Sequence, residues 1–460
     1  MKTTAIILAA GEGTRMNSVL PKVLHPLLGR PMVSYAVAVA QAASDDPPVL
    51  IVGHGSQAVR ETVGEAARFV EQAEQRGTGH AVLQAREMLR GQSDLILVTY
   101  ADMPLLTEET LSQLRACQAE NDGPIAMLTL MAEDARGFGR IVRDDDNTVQ
   151  KIVEETIATP EELAIGELNA GVYCFDADWL WDHVDQIPLS QPKEEYYLTD
   201  LIEMAVEQGR RVEPMTTDDA AQALGVNTRV HLAEATRALQ ERINTRVMRA
   251  GVTLVDPQTT YIEPDVSVGR DTIIHPNTHL RGQTSIGAEC QIGPNTVIDD
   301  CEISDRCRVT ASVLEQAVME PDADIGPFGH LRPGARVCRG AHMGNFGELK
   351  NATLGPGAHM GHFSYVGDAD VGTEANIGAG TITCNYDGER KHHTTIEEGA
   401  FVGSGSMLVA PVRLGKRSKT GAGSVVTHDV PDEGLVYGVP ARSPEPSAEA
   451  KTADPSIEET

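Results

Sequence analysis

The sequence is poor in aromatic side chains and in positive charge. Only 4% of its 460 residues are Phe, Trp or Tyr, so its cores must be built mainly from Val, Ile, Leu and Ala. Lys and Arg number 38 against 67 Asp and Glu, which gives a formal net charge of −29. A chain this acidic argues against nucleic acid as a partner, because phosphate backbones are bound by basic surfaces. The charge fits an acidic soluble protein, and an adaptation to salt is an equally open interpretation.

The sequence also lacks a long apolar run and paired cysteines. No run approaches the roughly 20 residues that span a membrane. The apolar start at 1–10 is too short for a secretion signal. The seven cysteines contain no C-x-x-C pair and are odd in number. We therefore expect free thiols in a reducing cytoplasm and no membrane partner.

The first half of the chain alternates apolar strands with helical patterns. Strand-like runs begin at Ala5, Val49 and Leu95, and helical patterns cover 33–43 and 79–89. Fully apolar strands separated by helices predict a parallel sheet covered on both faces. Because ligands of such sheets bind at the carboxyl ends of the strands, polar residues at those ends are candidate site residues.

Beyond residue 250 the apolar residues recur with a period of six. Ile262, Val268, Ile274, Leu280, Ile286, Ile292 and Ile298 stand six apart, and after short slips the pattern resumes as far as Val426. Neither an α-helix nor an ordinary strand has this period. A coil of three short strands has it when each strand spans one hexapeptide and turns its apolar residue to the axis. The pattern predicts a parallel β-helix.

A polar helical segment joins the two regions. Its apolar residues Leu232, Leu239, Ile243 and Val247 form one stripe, and Gly251 follows as a stop signal. We therefore expect an α/β domain at 1–227, a linker helix at 228–250 and an all-β domain at 251–440. The polar, acidic segment 441–460 is predicted to be a disordered tail.

A glycine loop follows the first predicted strand. The run Leu-Ala-Ala-Gly-Glu-Gly-Thr-Arg-Met at 8–16 leads to Lys22. Backbone N–H groups of such a loop bind phosphate oxygens, and a plain strand-to-helix turn is the alternative. The loop is neither a P-loop nor the dinucleotide fingerprint, because Met16 stands where the third glycine would be. Arg15 and Lys22 add positive charge.

Asp102 stands at the end of the apolar run 95–99. A carboxylate at the end of a strand suits Mg²⁺, which takes one or two protein oxygens together with substrate phosphates. An Asp in an ordinary turn is an equally good interpretation of this residue alone.

Together these motifs resemble those of the sugar-1-phosphate nucleotidyltransferases. With the period-six region and the segments around His362, Asn385 and Ser404, the chain resembles a bacterial bifunctional family. Members of that family are both N-acetylglucosamine-1-phosphate uridyltransferase and glucosamine-1-phosphate N-acetyltransferase. The resemblance covers about 1–440. It implies a Rossmann-like first domain, a left-handed β-helix and a homotrimer, with UTP, acetyl-CoA and glucosamine-1-phosphate as substrates.

The resemblance also implies a first site for uridylyl transfer. The residues that would hold the uridine nucleotide and the reacting groups are Leu8, Ala9, Ala10, Gly11, Gln72, Gly77, Thr78, Tyr100 and Ala101. The sugar would contact Gly139, Glu154 and Asn169. Asp102 and Asn227 would bind Mg²⁺, while Arg15 and Lys22 would face the phosphates and act in catalysis. Because the substrate phosphate is itself the nucleophile, the protein has to position groups and neutralise charge. Ala101 departs from the family, which usually has Gly there.

A second site would transfer the acetyl group. Attack of an amine on a thioester needs a proton acceptor, and the resemblance assigns that role to His362, with Glu348 as its orienting carboxylate. Residues implied to hold the sugar phosphate are Arg332, Lys350, Tyr365 and Asn376. Those implied to line the acetyl-CoA site are Ala379, Asn385, Tyr386, Ser404 and Ala422.

Two other functions are compatible with parts of the sequence. One is a single-activity nucleotidyltransferase whose β-helix only oligomerises or regulates. The other is a non-catalytic assembly subunit. The presence of His362, Asn385 and Tyr386 disfavours the first, and the presence of Lys22 and Asp102 disfavours the second.

Overall fold

The computed structural model describes residues 1–53, 56–132, 135–155, 157–191 and 194–443. The predicted acidic tail lies outside them from residue 444 onward. The chain divides into two compact units, Met1–Leu239 and Gln240–Thr460. Within the described ranges, no helix has both the length and the apolar character that crossing a membrane requires.

The first unit is built on a mixed sheet. Its strands are β1 (Thr3–Ala9), β2 (Pro26–Leu27), β3 (Arg30–Pro31), β4 (Val49–Val52), β5 (Arg68–Glu71), β6 (Leu95–Tyr100), β7 (Ile125–Met131), β8 (Arg140–Arg143), β9 (Val149–Val153), β10 (Glu167–Asp176) and β11 (Val212–Thr217). The order across the sheet is β11-β7-β10-β6-β1-β4-β5, with β8 and β9 joined at β10 and with β2 and β3 forming a separate pair.

The sheet is mixed, whereas the sequence predicted a parallel sheet. β1, β4, β5 and β6 are parallel, but β10 runs antiparallel to both β6 and β7. The prediction was wrong here because apolar composition reports burial on both faces and carries no information on strand direction. The antiparallel strand is interrupted by a bulge between Asn169 and Tyr173.

Helices cover both faces of this sheet, as predicted. The α-helices of the described residues are α1 (Met32–Ala42), α2 (Ser56–Val63), α3 (Thr78–Leu83), α4 (Arg86–Leu89), α5 (Glu108–Glu120), α6 (Pro160–Leu163), α7 (Ala177–His183), α8 (Asp200–Glu207) and α9 (Arg229–Arg249), of which α9 continues into the second unit. Alternate strand residues face opposite layers, so Ile7 packs in the core under α1 and α5, whereas Ile6 packs in the core under α3, α7 and α8. The single helix predicted over 79–89 is observed as two, α3 and α4.

The second unit is a stack of short parallel strands. The first of these are β12 (Thr253–Leu254), β13 (Thr260–Ile262), β14 (Ser267–Val268), β15 (Ile273–Ile274), β16 (Thr278–Arg281), β17 (Ser285–Ile286), β18 (Gln291–Ile292), β19 (Thr296–Asp299), β20 (Glu302–Ile303), β21 (Arg308–Val309), β22 (Val313–Glu315), β23 (Val318–Met319), β24 (Asp324–Ile325) and β25 (His330–Leu331). They continue as β26 (Arg336–Val337), β27 (His342–Met343), β28 (Gly347–Leu354), β29 (His359–Met360), β30 (Ser364–Val371), β31 (Asn376–Ile377), β32 (Ile382–Cys384), β33 (Thr394–Ile396), β34 (Phe401–Val402), β35 (Met407–Val409), β36 (Val412–Leu414), β37 (Lys419–Thr420), β38 (Val425–Val426) and β39 (Leu435–Val436).

Successive coils of this unit align residue for residue. A column of fully buried aliphatic side chains runs through them, formed by Ile262, Leu280, Ile298, Leu314, Leu331, Leu349 and Val366. All but Leu314 belong to the six-residue pattern, so the predicted parallel β-helix is confirmed. The helix-covered sheet of the first unit confirms the predicted α/β domain. The described strands form two sheets: an 11-stranded sheet that takes one strand from each coil, and a 17-stranded sheet that contains the remaining strands.

The start of the β-helix is closed by the end of α9. Gln240 and Asn244 are both buried, and each donates a side-chain hydrogen bond of 2.9 Å to the carbonyl oxygen of Thr260. These amides satisfy a backbone group that would otherwise be buried without a partner. The helix predicted over 228–249 therefore both exists and contacts the first coil.

Candidate functional site

The first unit has a cavity of about 290 Å³ at the carboxyl ends of β1 and β6. Its lining includes Leu8, Ala9, Ala10, Gly11, Lys22, Gln72, Gly77, Thr78, Tyr100 and Asp102, all of them expected from the sequence. The sequence analysis missed Val23, Gln75, Ala81, Glu195 and Tyr197, which also line it. The glycine of the loop at position 13 has φ of 65°, and a Cβ there would lie 2.5 Å from the Lys22 Cβ. Glycine therefore lets the loop close against Lys22.

The Lys22 ammonium lies between two oxygen ligands. It donates a hydrogen bond to the Asp102 carboxylate and another, of 3.1 Å, to the side-chain oxygen of Asn227. The side chains of Lys22 and Asp102 are only 12% and 17% exposed. Two oxygens that share one cation form a donor set that suits Mg²⁺. Within the described ranges, no group of three or more His, Cys, Asp or Glu could hold a metal ion. Sites with one or two protein oxygens commonly bind Mg²⁺ together with substrate phosphates.

Gln72 is a buried amide at one end of this cavity. Its nitrogen donates to the Gly77 carbonyl oxygen at 3.1 Å and lies 3.0 Å from Nδ1 of His80. These contacts use the donor end of the amide and leave the oxygen as an acceptor. A uracil ring offers one N–H donor between two carbonyl oxygens, so the free acceptor matches that ring.

A second cavity, of about 250 Å³, adjoins the first. Thr78, Tyr100, Asp102 and Tyr197 line both. The predicted sugar residues Gly139, Glu154 and Asn169 line the second cavity together with Asn227, and so do the unpredicted Met103, Gly137, Phe138, Ala170, Gly171, Tyr173, Thr199, Ala223 and Gly225. The two cavities thus bring the predicted nucleotide and sugar residues together around Asp102.

The bulge in β10 shapes the second cavity. The oxygen of Asn169 accepts from the backbone N–H of Gly171 at 3.0 Å, and its nitrogen donates to the Tyr173 hydroxyl at 2.8 Å. Gly171 has φ of 78°, and a Cβ there would lie 3.1 Å from the Tyr100 ring. Burial raises the pKa of Tyr100, and the charges of Asp102 and Glu154 raise it further, so the phenol stays a hydrogen-bond donor.

Two predicted residues line neither cavity. Arg15 is exposed in the short helical turn Thr14–Met16, so in this conformation it does not face the cavities. Ala101 is fully buried, and its methyl group packs in the core beneath α1 and α5. The departure from the family at Ala101 therefore adds core volume and leaves the lining of the cavity unchanged.

In the second unit, three cations gather around the strand β28. The positive charges of Lys391 and Arg332 lower the pKa of Lys350, and burial contributes little to this shift. Arg332 donates to the Glu348 carboxylate at 3.0 Å. Glu348 faces Arg332 and Asp368 lies 3.9 Å from Lys391, yet the three cations still repel one another, so the group favours an additional anion such as a phosphate. Lys391 comes from the inserted loop between β32 and β33.

Glu348 does not contact His362 in the described chain. Glu348 lies in mid-strand, opposite Tyr365 in the next coil, where it meets Arg332. His362 lies three residues earlier, in the exposed corner between β29 and β30. The register of the coils therefore separates the expected base from its expected orienting carboxylate within one chain.

His362 begins a column of small residues at one corner. Strand register places His362, Ala379, Ser404 and Ala422 at the same position of four successive coils. Ala379, Ser404 and Ala422 are each followed by a glycine, and these glycines form equivalent turns with φ of 71–74° (Gly380, Gly405 and Gly423). The column therefore places three small side chains in line with the His362 imidazole, and the exposed Phe363 ring lies beside Gly380. The predicted base and three predicted acetyl-CoA residues are thus contiguous.

Asn376 lies on a different sheet from the three cations. It belongs to β31 in the 11-stranded sheet, whereas Lys350 and Tyr365 belong to β28 and β30 in the 17-stranded sheet. Asn385 is buried, and its neighbour Tyr386 is exposed at the start of the inserted loop. Within one chain, the residues predicted to bind the sugar phosphate therefore lie on two different sheets.

A nucleotide-sized cavity at the strand ends of a mixed sheet, joined to a hexapeptide β-helix, defines a nucleotidyltransferase coupled to an acyltransferase. Comparisons with known proteins agree. Residues 5–165 match the MobA-like NTP transferase domain. Residues 265–300 match the bacterial transferase hexapeptide with six repeats, and 393–428 match the hexapeptide repeat of succinyl-transferase.

Relatives of similar length match almost the whole chain. The chain is 44% identical over 431 residues to Bifunctional protein GlmU of Shouchella clausii, covering 94% of this chain and 95% of that protein. It is 45% identical over 446 residues to the protein of that name from Trichlorobacter lovleyi, covering 96% of each. The Pelobacter propionicus protein is 45% identical over 449 residues, covering 97% of each. The chain belongs to the family of bifunctional GlmU proteins. The predicted bifunctional enzyme, with uridylyl and acetyl transfer, is confirmed.

Proposed function

We propose that the chain makes UDP-N-acetylglucosamine in two steps at the two sites described above. In the first step, the amine of glucosamine-1-phosphate attacks the acetyl-CoA carbonyl carbon, and the carbon–sulfur bond breaks to release CoA. In the second step, a phosphate oxygen of N-acetylglucosamine-1-phosphate attacks the α-phosphorus of UTP, and pyrophosphate leaves. The observation that carries this assignment is the pair of cavities sharing Asp102, together with the cation group and the His362 column in the second unit.

For uridylyl transfer, the first cavity holds UTP and the second holds the sugar phosphate. The free oxygen of Gln72 accepts the uracil N–H, while the loop at 8–11 faces the triphosphate through its backbone. Lys22 neutralises charge that develops as pyrophosphate departs. Asn169 and Glu154 hold the sugar, and Asn169 is held in place by Tyr173 and the backbone of Gly171.

Mg²⁺ is the metal that this donor set favours. Asp102 and Asn227 would hold it together with phosphate oxygens of the nucleotide. When bound, the ion would neutralise the phosphates and align them for in-line displacement. The protein's own part is to keep the two oxygens close, which Lys22 does through its two hydrogen bonds.

For acetyl transfer, His362 accepts the proton that the attacking amine loses. Histidine suits this role because its side chain exchanges protons near neutral pH. Arg332, Lys350 and Lys391 bind the sugar phosphate and relieve the repulsion among themselves. The small residues Ala379, Ser404 and Ala422 give acetyl-CoA room beside His362.

The acetyl-transfer site is shared between chains of a homotrimer. Asn376 and the strand that carries Lys350 belong to separate sheets of one chain, which supports a site completed by a neighbouring chain. A three-fold arrangement of β-helices brings one sheet of a chain against another sheet of its neighbour. We further propose a cytoplasmic location, since all seven cysteines, which lie in the described ranges, are free thiols.

The purified protein with glucosamine-1-phosphate, acetyl-CoA, UTP and Mg²⁺ tests this function. Release of CoA and of pyrophosphate is followed separately, and each reaction is then run with the other donor left out. We expect CoA release without UTP, and pyrophosphate release from N-acetylglucosamine-1-phosphate without acetyl-CoA. Pyrophosphate release with no CoA release under any condition would instead indicate a nucleotidyltransferase with a structural β-helix.

A further inference from the structure

A ladder of side chains rises along one corner of the β-helix beside the cation group. Strand register places Asn351, Asp368 and Asn385 at the same position of three successive coils, each 17 residues from the last. Asp368 and Asn351 have φ of 47° and 46°, a left-handed conformation that Asn and Asp tolerate well. The backbone alone would therefore accept Asn at position 368 as readily as Asp.

The carboxylate gives this ladder a fixed polarity. Asn351 donates to one Asp368 oxygen at 2.7 Å, and Asn385 donates to the other at 2.5 Å. An ionised carboxylate only accepts hydrogen bonds, so both neighbouring amides must turn their nitrogens toward it. Asn385 also offers its nitrogen to the Tyr365 hydroxyl at 3.5 Å. Its side-chain oxygen is thereby left as an acceptor.

A ladder made of amides alone behaves differently in the same β-helix. The nitrogen of Asn277 donates to the side-chain oxygen of Asn295, one coil further, at 3.1 Å. Each amide in such a ladder can both donate and accept, so the whole ladder can run in either direction. A carboxylate in the ladder removes this freedom, and with Asp368 at the middle position Asn385 presents its nitrogen to the ladder and keeps its oxygen free.

Asp368 also carries the charge that this position requires. Its side chain is 11% exposed and lies 3.9 Å from the Lys391 ammonium. Burial favours the neutral acid, but the hydrogen bonds from Asn351 and Asn385 and the charges of Lys391 and Lys350 together lower the pKa of Asp368. The group is thus ionised at neutral pH and accepts from both amides.

We propose that Asp368 is a positioning residue for acetyl transfer, which sets the orientation of the Asn385 amide so that its oxygen accepts a hydrogen bond from the substrates. This inference rests on the proposed function of the second unit. The chemistry matches, because the reacting sugar carries an N–H that needs an acceptor as the new amide forms. Tyr365 gains from the same arrangement, since its oxygen accepts from Asn385 and its O–H can donate to the sugar phosphate.

The test exchanges the partners within the ladder. Asp368→Asn keeps the shape and the tolerated backbone conformation, but lets the ladder run in either direction. We expect kcat/KM for acetyl transfer to fall by at least about tenfold. A loss of this size is typical when a residue that holds a binding side chain in place is removed. The double variant Asn351→Asp with Asp368→Asn places the carboxylate one coil earlier. The new amide at position 368 then donates to that carboxylate and accepts from Asn385, so activity should return to near the wild-type value.

The matched control is Asp370→Asn, on the same strand. Asp370 is exposed and pairs with His393, so acetyl transfer by this variant should stay at the wild-type rate. Wild-type acetyl transfer in Asp368→Asn would overturn the inference. A double variant as impaired as the single one would also overturn it, because the position of the charge and not the orientation of the amide would then matter. Wild-type protein without acetyl transfer would refute the proposed function instead.

Discussion

The Lys22 ammonium bridges Asp102 and Asn227, the two side chains predicted to hold Mg²⁺. In this arrangement the lysine satisfies the oxygens that a metal would need. A divalent cation must displace the ammonium, and the ammonium then needs a new anion. The triphosphate of UTP provides that anion beside the glycine loop.

Mg²⁺ binding should therefore depend on the nucleotide. By isothermal titration, we expect Mg²⁺ alone to bind the protein weakly and UTP to tighten Mg²⁺ binding. Asp102→Asn should remove this effect, and pyrophosphate release should fall by about 10²–10³-fold, as is typical for loss of one preorganised charge-stabilising group. CoA release should stay unchanged. Asp178→Asn, an exposed carboxylate on α7, is the control. Equal loss of both activities in folded Asp102→Asn would contradict separate sites.

Gly171 should be needed for uridylyl transfer beyond its effect on stability. Gly171→Ala introduces a methyl group 3.1 Å from the Tyr100 ring and forces alanine into a left-handed conformation. Gly209, with φ of 68°, has no atom within 4 Å of the added methyl group. Both alanine variants should lose about 1–2 kcal/mol of stability from backbone strain.

Only Gly171→Ala should raise KM for N-acetylglucosamine-1-phosphate, because only there does the methyl group push on the wall of the sugar cavity. Steady-state kinetics and urea unfolding of both variants separate the two effects. Matching KM values in the two variants would show that the close approach to Tyr100 is irrelevant to sugar binding.

The sequence predicted the β-helix well because its period reflects a single repeated contact. Each residue of the Ile262 column faces the axis and is fully buried. The apolar type of each residue and its spacing along the sequence therefore both indicate the same buried position. The antiparallel direction of β10 and the break between α3 and α4 leave no comparable periodic signal. At the site, strand ends and the glycine loop pointed to Lys22 and Asp102, both of which line the first cavity. Asp368 went unnoticed, because only coil register reveals that it lies between two amides.

Complementation should reveal whether the acetyl-transfer site is shared. Lys350→Ala and Asn376→Ala change residues on different sheets of one chain. Each variant alone should lack acetyl transfer. When both are co-expressed and assemble at random, about one quarter of the sites between neighbouring chains should contain both original residues. CoA release of about that fraction of wild type is expected. Mixed trimers with no regained activity would place both residues in one chain's site.

The stability of the first unit should fall as pH rises through about 6. Burial raises the pKa of Asp200 to about 6, and the charge of Glu203 adds to this effect. In the unfolded chain an Asp titrates near 3.9, so the folded state binds the proton more tightly. The associated stability is fully present below about pH 4 and is lost as pH rises through the folded value.

Asp200→Asn should remove that pH dependence. Both tryptophans of the chain, Trp179 and Trp181, lie in α7, so their fluorescence reports the unfolding of the first unit alone. The melting temperature of the variant, relative to wild type, should be higher at pH 8 than at pH 4. Asp178→Asn again serves as control. Parallel melting curves of Asp200→Asn and wild type across this range would contradict the assignment.

His362→Ala should selectively impair acetyl transfer. His362 is exposed at a corner, in register with Ala379, Ser404 and Ala422, so its removal costs little packing. Loss of a general base typically costs about 10²–10⁴-fold, and we expect kcat for CoA release to fall by a factor in that range. Pyrophosphate release should be unchanged, as should the thermal unfolding of the β-helix. His275→Ala, at a partly exposed histidine in an early coil, is the control. If His362 only packs at its corner, the variant would melt earlier and keep its acetyl transfer per folded molecule, and the histidine would then have no place in the mechanism.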